Sequence, residues 1–230
     1  MIKKNYLIIG GSSDVGQCLI NLLSKEKKKI LATYFKKKVN IKNVNFFNLD
    51  LTSDISIDNF QKTLIQEKIK FDYIVFLNGQ LHGKDIKKFN SSEILENYQI
   101  NALGIIKLYK KIENLLNKNC LVLFISSISA IAGSFDPIYA SSKAAGLAFF
   151  KSLSKWKAPK KKFICICPGP IMGTDMFGRF SNKRKKIHIS TNPNKEILNI
   201  KDFCLILKDL LNPHWRHANG SIININGGIV

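Results

Sequence analysis

Arginine is almost missing from this chain. Of 36 basic residues only Arg179, Arg184 and Arg216 are arginines, against 33 lysines, and acids number just 16, for a net charge of +20. Such a charge invites a polyanionic partner, because lysines attract phosphates through a long-range field. The lysines are nevertheless scattered through nearly every segment, and the guanidinium forks that read bases or grip phosphates are scarce. A compositional bias explains them better than a binding patch, and no nucleic-acid partner is expected. Proline is also sparse, at six residues, while 45% of the chain is hydrophobic, which excludes disordered and proline-rich architectures. Five cysteines, an odd number with no Cys-x-x-Cys pair, sit mostly in apolar runs and read as reduced thiols of a cytoplasmic protein. No apolar run approaches the ~18 residues of a membrane span. The first residues, MIKKNYLIIGG, run into a glycine turn rather than a cleavage site, so neither a signal peptide nor a membrane partner is expected.

What is present is alternation. Short β-branched or aromatic runs near 5–10, 29–35, 43–49, 71–77, 119–126, 161–167 and 221–226 are separated by helical patterns near 15–25, 55–68, 92–117, 137–156 and 200–211. Strands alternating with helices predict a parallel sheet covered on both faces. The expected fold is therefore a doubly wound α/β sheet in three α/β/α layers, one domain spanning residues 1–230. Ligands of such sheets collect at the carboxyl ends of the strands. The polar stretch 177–199, least regular over 177–196, follows the sixth strand and is expected to act as a substrate lid.

Three strand ends carry chemistry. After the first, Gly10 and Gly16 flank GSSDV at the start of a helix, a turn suited to a pyrophosphate at a helix N-terminus; a tight turn with no ligand is the bland alternative. A Walker phosphate loop is excluded, because no Gly-Lys-Ser/Thr follows. After the second, Tyr34, Phe35 and Lys36 stand where an acid would bind ribose hydroxyls in a site without a 2′-phosphate. An ammonium from Lys36 or Lys37 suits that phosphate, so NADP(H) is expected ahead of NAD(H). After the fifth, Ser126 and Ser127 precede a helix on which Tyr139 and Lys143 are four residues apart and share a face. A neighbouring ammonium favours phenolate, so Lys143 is expected to lower the pKa of Tyr139 and make it an acid or base near neutral pH. His82, His188, His214 and His217 show no metal-ligand spacing, and no metal is expected.

In this order the motifs resemble those of the short-chain dehydrogenase/reductase family, its 3-oxoacyl-[acyl-carrier-protein] reductase-like members among them, over essentially the whole chain. IIGGSSDVG resembles the Thr-Gly-x-x-x-Gly-Ile-Gly turn, with Ile9 in place of Thr and Asp14 in place of the middle glycine. NLDLT sets Asp50 where the family contacts adenine, FLNG keeps the final glycine of Asn-Asn-Ala-Gly, and YQINALG supplies Asn101 at the catalytic asparagine position. ISS supplies the serine, YASSK the Tyr-x-x-x-Lys pair, CPGPIMGTDM the Pro-Gly segment and NGSIININGG the closing strand. The Ser127–Tyr139 spacing is one residue short, which keeps Ser126 beside Ser127 as a candidate, and the Gly169–Thr174 spacing is one residue long, which bears on the contact of Thr174 with the nicotinamide carboxamide.

The resemblance implies catalysis by Asn101, Ser127, Tyr139 and Lys143, with Asn101 ordering a water that refills the proton through Lys143. It implies a cofactor site of Gly10, Ser12, Ser13, Asp14, Val15, Gly16, Tyr34, Lys36, Asp50, Leu51, Asn78, Gly79, Tyr139, Lys143, Pro168, Gly169, Ile171 and Thr174. The implied activity interconverts a ketone and a secondary alcohol with NADP(H), NAD(H) being the alternative cofactor. Arg179, Lys183, Arg184, Lys185 and Lys186 in the lid suit an anionic small-molecule substrate such as a 3-oxoacyl thioester; a sugar or sugar nucleotide is the alternative. A homotetramer or homodimer is expected.

Overall fold

The computed structural model of the protein describes residues 4–25 and 29–229, so the outermost ends of the expected 1–230 span lie outside the described residues. Its strands are β1 (Asn5–Ile9), β2 (Lys29–Tyr34), β3 (Val44–Asn48), β4 (Phe71–Phe76), β5 (Leu116–Ile125), β6 (Lys161–Pro168), β7 (Ile171–Met172), β8 (Leu198–Asn199) and β9 (Ile222–Ile225). Seven of them form one sheet in the order β3-β2-β1-β4-β5-β6-β9, every pair parallel. The chain first builds outward from β1 through β2 to β3 and then crosses back to β4, so strand order reverses between β1 and β4. That reversal opens a crevice at the carboxyl ends of these two strands.

The helices are α1 (Asp14–Leu23), α2 (Asp54–Gln66), α3 (Ser91–Tyr98), α4 (Gly104–Ile112), α5 (Ser129–Ala132), α6 (Pro137–Trp156), α7 (Asp175–Gly178), α8 (Asn182–Thr191) and α9 (Ile200–Leu210). Strand side chains alternate between two cores, because successive Cβ atoms point to opposite faces. Leu7, Ile9, Ile74, Phe76, Val122 and Phe124 join one core with Ile57, Ile105, Leu108 and Phe150 of α2, α4 and α6. Tyr6, Ile8, Val75, Leu123 and Ile166 join the other with Leu19, Ile20, Phe203 and Leu207 of α1 and α9. The result is the Rossmann-like three-layer α/β/α arrangement.

Two local expectations are corrected. The helix expected over 92–117 is interrupted by a π-helical turn at Gln99–Leu103, and strand β5 begins at Leu116 rather than 119. The stretch 177–196 is more regular than its polarity suggests: Ser181 accepts from the Arg184 amide and starts a ten-residue helix. That helix has no apolar stripe, so periodicity could not reveal it. Ile171 and Met172 pair with Leu198 and Asn199 to close this excursion against the main body.

Candidate active site

The glycine turn after β1 is sterically committed. Gly10 has φ +80° and lies so close to β4 that an added Cβ would be 3.0 Å from the Asn78 amide nitrogen. At Gly16 the same atom would be 2.6 Å from the carbonyl oxygens of both Gly10 and Gly11. Ser13 caps α1 by accepting from the Gly16 amide at 3.1 Å and itself donates to the Gly10 carbonyl at 2.7 Å. Thr33 of β2, which the sequence reading missed, accepts from the Gly10 amide at 2.9 Å and anchors the turn from the side.

From this turn a cavity of about 890 Å³ runs past Asn78 and Gly79 to Ser127, Tyr139 and Lys143, and then under Met176, Phe177, Phe180 and Arg184. Of the expected cofactor residues, Ser12, Ser13, Asp14, Val15, Asn78, Gly79, Tyr139, Lys143, Pro168, Gly169, Ile171 and Thr174 line it. Gly10 and Gly16 shape its floor without lining it, and Tyr34, Lys36, Asp50 and Leu51 stand outside it, near the β2 and β3 ends. Asp50 Oδ1 accepts from the amide and hydroxyl of Thr52, and Lys36 is exposed. These residues fit a dinucleotide: the glycines let the turn pack closely at the start of α1, and the buried Asn78 Oδ1 has no partner among the described residues.

The Tyr139 phenol is buried, with the Ser127 hydroxyl close enough to influence it. Burial pushes its pKa up to about 12, the Ser127 hydroxyl lowers it and the Asp136 carboxylate raises it. Lys143, expected to lower it, is not among the groups that shift the phenol, and its ammonium donates to the carbonyls of Asn78 at 2.9 Å and Ile125 at 3.0 Å. Burial lowers the Lys143 pKa itself to about 8. Ser126 donates to the Lys143 carbonyl at 3.2 Å, so it serves the helix, and Ser127 is the serine that meets the tyrosine.

Asn101 sits fully buried in the π turn. Its Nδ2 donates to the Gln80 carbonyl, Asn97 Oδ1 and Ser142 Oγ, and its Oδ1 accepts from the Gln80 amide. Its amide hydrogens are thus committed to protein groups rather than free to order a water. Thr174 Oγ1 is likewise engaged, donating to the Ile171 carbonyl and accepting from the Phe177 amide as the cap of α7.

Asp136 is the residue the sequence reading overlooked. Completely buried, its carboxylate accepts from the Tyr139 amide at 2.9 Å and the Gly83 amide at 2.8 Å, fixing the first turn of α6 against the loop after β4. An Asp-Pro pair opening a helical pattern is the signal that finds it.

A profile of the short chain dehydrogenase family matches residues 4–185. The chain belongs to this family and is an oxidoreductase of the short-chain dehydrogenase/reductase type, with the family's dinucleotide-binding fold. It is 24% identical to the uncharacterized oxidoreductase YhdF of Bacillus subtilis, over 98% of this chain and 83% of that protein. It is 25% identical to the 3-oxoacyl-[acyl-carrier-protein] reductase FabG of Buchnera aphidicola, over 98% and 87% respectively. A short chain dehydrogenase family protein from Francisella tularensis shares the fold with a TM-score of 0.91 at 23% identity, covering 99% of each chain. Among the described residues no helix is long and apolar enough to cross a membrane, and no group of His, Cys, Asp and Glu could hold a metal ion.

Proposed function

We propose that the protein is an NADP(H)-dependent reductase that interconverts a ketone and a secondary alcohol, with Tyr139 as the general acid and base. The observation that carries this reading is the Tyr139–Ser127 hydroxyl pair inside the cavity that begins at the glycine turn. Bound along that cavity, NADPH would supply a hydride to the carbonyl carbon. Ser127 and Tyr139 hold the carbonyl oxygen, and Tyr139 gives its phenolic proton to that oxygen as it becomes the alcohol. Burial keeps the phenol protonated through neutral pH, which favours the reductive direction. Lys143, held by two carbonyls, would meet the nicotinamide ribose through its remaining N–H. Asn101 acts as a positioning residue that clamps Gln80 to the π turn and to Ser142 on α6.

The 2′-phosphate of NADP(H) would be met by Lys36 at the β2 end, where no acid stands. Residues 177–199 form the substrate lid, and Phe177, Phe180 and Ile187 give it an apolar underside. That lining favours an acyl or aryl ketone over a sugar, and the anionic 3-oxoacyl thioester is the first class to assay. We assign one domain, a homotetramer or homodimer and a cytoplasmic setting to the same reading.

The test is a fluorescence titration with NADPH and NADH, followed by turnover with acetoacetyl thioester and sugar panels, beside Tyr139→Phe. The variant should bind NADPH as the wild type does while losing at least ~100-fold in kcat. Equal turnover by the two proteins would remove Tyr139 from the mechanism, and absence of nucleotide binding would overturn the reading altogether.

A further inference from the structure

Six lysines and arginines lie in the segment over the cavity, and five are accounted for, Lys195 donating to the Ser190 carbonyl. Arg179 Nε is 3.3 Å from Asp175 Oδ2. Lys185 donates to the Gly178 carbonyl and lies over the Phe177 ring, and Lys183 and Lys186 are exposed. Arg184 differs. Its guanidinium carbon is 4.0 Å from the Phe180 ring centroid and 4.3 Å from that of Phe135, so the plane is gripped between two aromatic rings.

So held, the Arg184 guanidinium makes no ion pair and donates no hydrogen bond among the described residues, although it is partly buried on the cavity wall. Asp136 is near enough to influence it, and each of its carboxylate oxygens accepts from a backbone amide, but no hydrogen bond or ion pair joins the two side chains. One helical turn further on, His188 stacks on the same Phe180 ring at 5.3 Å. Its Nε2 is buried without a partner among the described residues, and it too borders the cavity. Two nitrogen groups without a hydrogen-bond partner among the described residues, on one helix face and braced by a shared phenylalanine, are offered to a ligand in the cavity.

Building on the reductase reading, we propose that Arg184 and His188 are the specificity determinants for a carboxylate on the substrate, which is a keto acid with an apolar, preferably aromatic, body. A planar guanidinium matches a carboxylate in bidentate fashion. A single cation beside the buried Asp136 suits a monoanion better than a phosphate dianion. Phe135, Phe177 and Phe180 supply the surface on which an aryl or alkyl body packs. This narrows the anionic class: the charge is carried by the reacting molecule itself, close to the keto group, rather than by a distant phosphate on a carrier arm.

The test compares phenylpyruvate and 4-oxo-4-phenylbutanoate with their methyl esters in the wild type, Arg184→Met, Arg184→Lys and His188→Phe, with NADPH affinity measured alongside. The readout is the acid-to-ester ratio of kcat/KM, in which a general loss of folding or catalysis cancels. The wild type should prefer the acids, and Arg184→Met should lower the ratio roughly 10- to 100-fold through KM, as expected for a lost hydrogen-bonded charge. Arg184→Lys should restore part of it, and His188→Phe should lower it less. A ratio near unity in the wild type, or one that survives Arg184→Met, overturns the proposal.

Should no ketone of the panel turn over, thermal shifts with 3-phenylpropanoate and 3-phenylpropan-1-ol decide. Stabilisation by the acid alone, lost in Arg184→Met, supports the carboxylate site; equal shifts, or none, refute it. Failure to bind NADPH would sink the reductase reading separately, since the acid-versus-alcohol comparison needs no nucleotide.

Discussion

Replacing Gly16 by Ala asks whether the turn after β1 is as tightly built as its contacts require. The new methyl carbon would lie 2.6 Å from the carbonyl oxygens of Gly10 and Gly11 and 2.7 Å from the Gly11 carbonyl carbon. All three are backbone atoms, so no side chain can swing aside. Retreat is blocked as well, because the Gly10 carbonyl accepts from the Ser13 amide at 3.1 Å and the Ser13 hydroxyl at 2.7 Å. Alanine is a better helix residue than glycine by about 1 kcal/mol. Overpacking costs about 1–3 kcal/mol, and three clashes with fixed backbone belong at or beyond its upper end. The net is a loss of about 2 kcal/mol, or roughly 4–8 °C in Tm for a domain of this size. The displaced amides would also forfeit the pyrophosphate: NADPH at 100 times its Kd should stabilise the wild type by about 2.7 kcal/mol and the variant by almost nothing. Gly178→Ala, where an added Cβ meets nothing within 4 Å, is the control and should keep both Tm and the NADPH shift. A Gly16→Ala protein with wild-type Tm and the full NADPH shift would refute the steric reasoning.

Three further outcomes are expected. Burial lowers Lys143 to about 8, whereas an unfolded lysine titrates near 10.4, so between these values the unfolded chain holds the extra proton and stability rises with pH. Urea unfolding should show wild type gaining on Lys143→Met from about pH 8 to 10.5, by at most ~1.4 kcal/mol per pH unit; a flat difference would mean the ammonium is not destabilised. Lys36→Glu should weaken NADPH roughly five- to tenfold while leaving NADH nearly unchanged, with the gap shrinking at high salt, as fluorescence titration would read. Asp136→Ala strands the buried amides of Gly83 and Tyr139 and should cost about 2–4 kcal/mol in urea unfolding, with Asp136→Asn costing less because one acceptor survives.

The sheet was legible because its determinants are local. Each run such as YLIIG or FDYIVF is bounded by a polar or glycine turn and followed by a helical period, and that alternation leaves little choice of topology. The Tyr139–Lys143 spacing was legible for the same reason, since one helical turn puts both on a single face. Where the Lys143 ammonium points was not. That depends on the Asn78 and Ile125 carbonyls, 65 and 18 residues away, to which it donates. Asp136 escaped because its second partner, the Gly83 amide, is 53 residues distant. Arg184 stands among the expected lid cations, but the sequence could not single it out from its four basic neighbours, because the Phe135 and Phe180 rings that hold it are placed only by the fold.

Asp14 shows how a departure from a motif can be absorbed. It stands where the resemblance places a glycine, at the first residue of α1, and a carboxylate there looks hostile to a bound pyrophosphate. In the structure its Oδ2 accepts from the Asp175 amide at 2.7 Å, 161 residues along the chain. The bond runs between the two elements that border the cavity, joining the start of α1 to the start of α7. The charge is thereby spent on an otherwise unpaired helix amide, where an acceptor is favourable. The same bond ties the glycine turn to the segment carrying Arg184. The carboxylate therefore takes over a fastening task that glycine has no atoms to perform, and the turn keeps Gly10 and Gly16, the two positions where a side chain has no room.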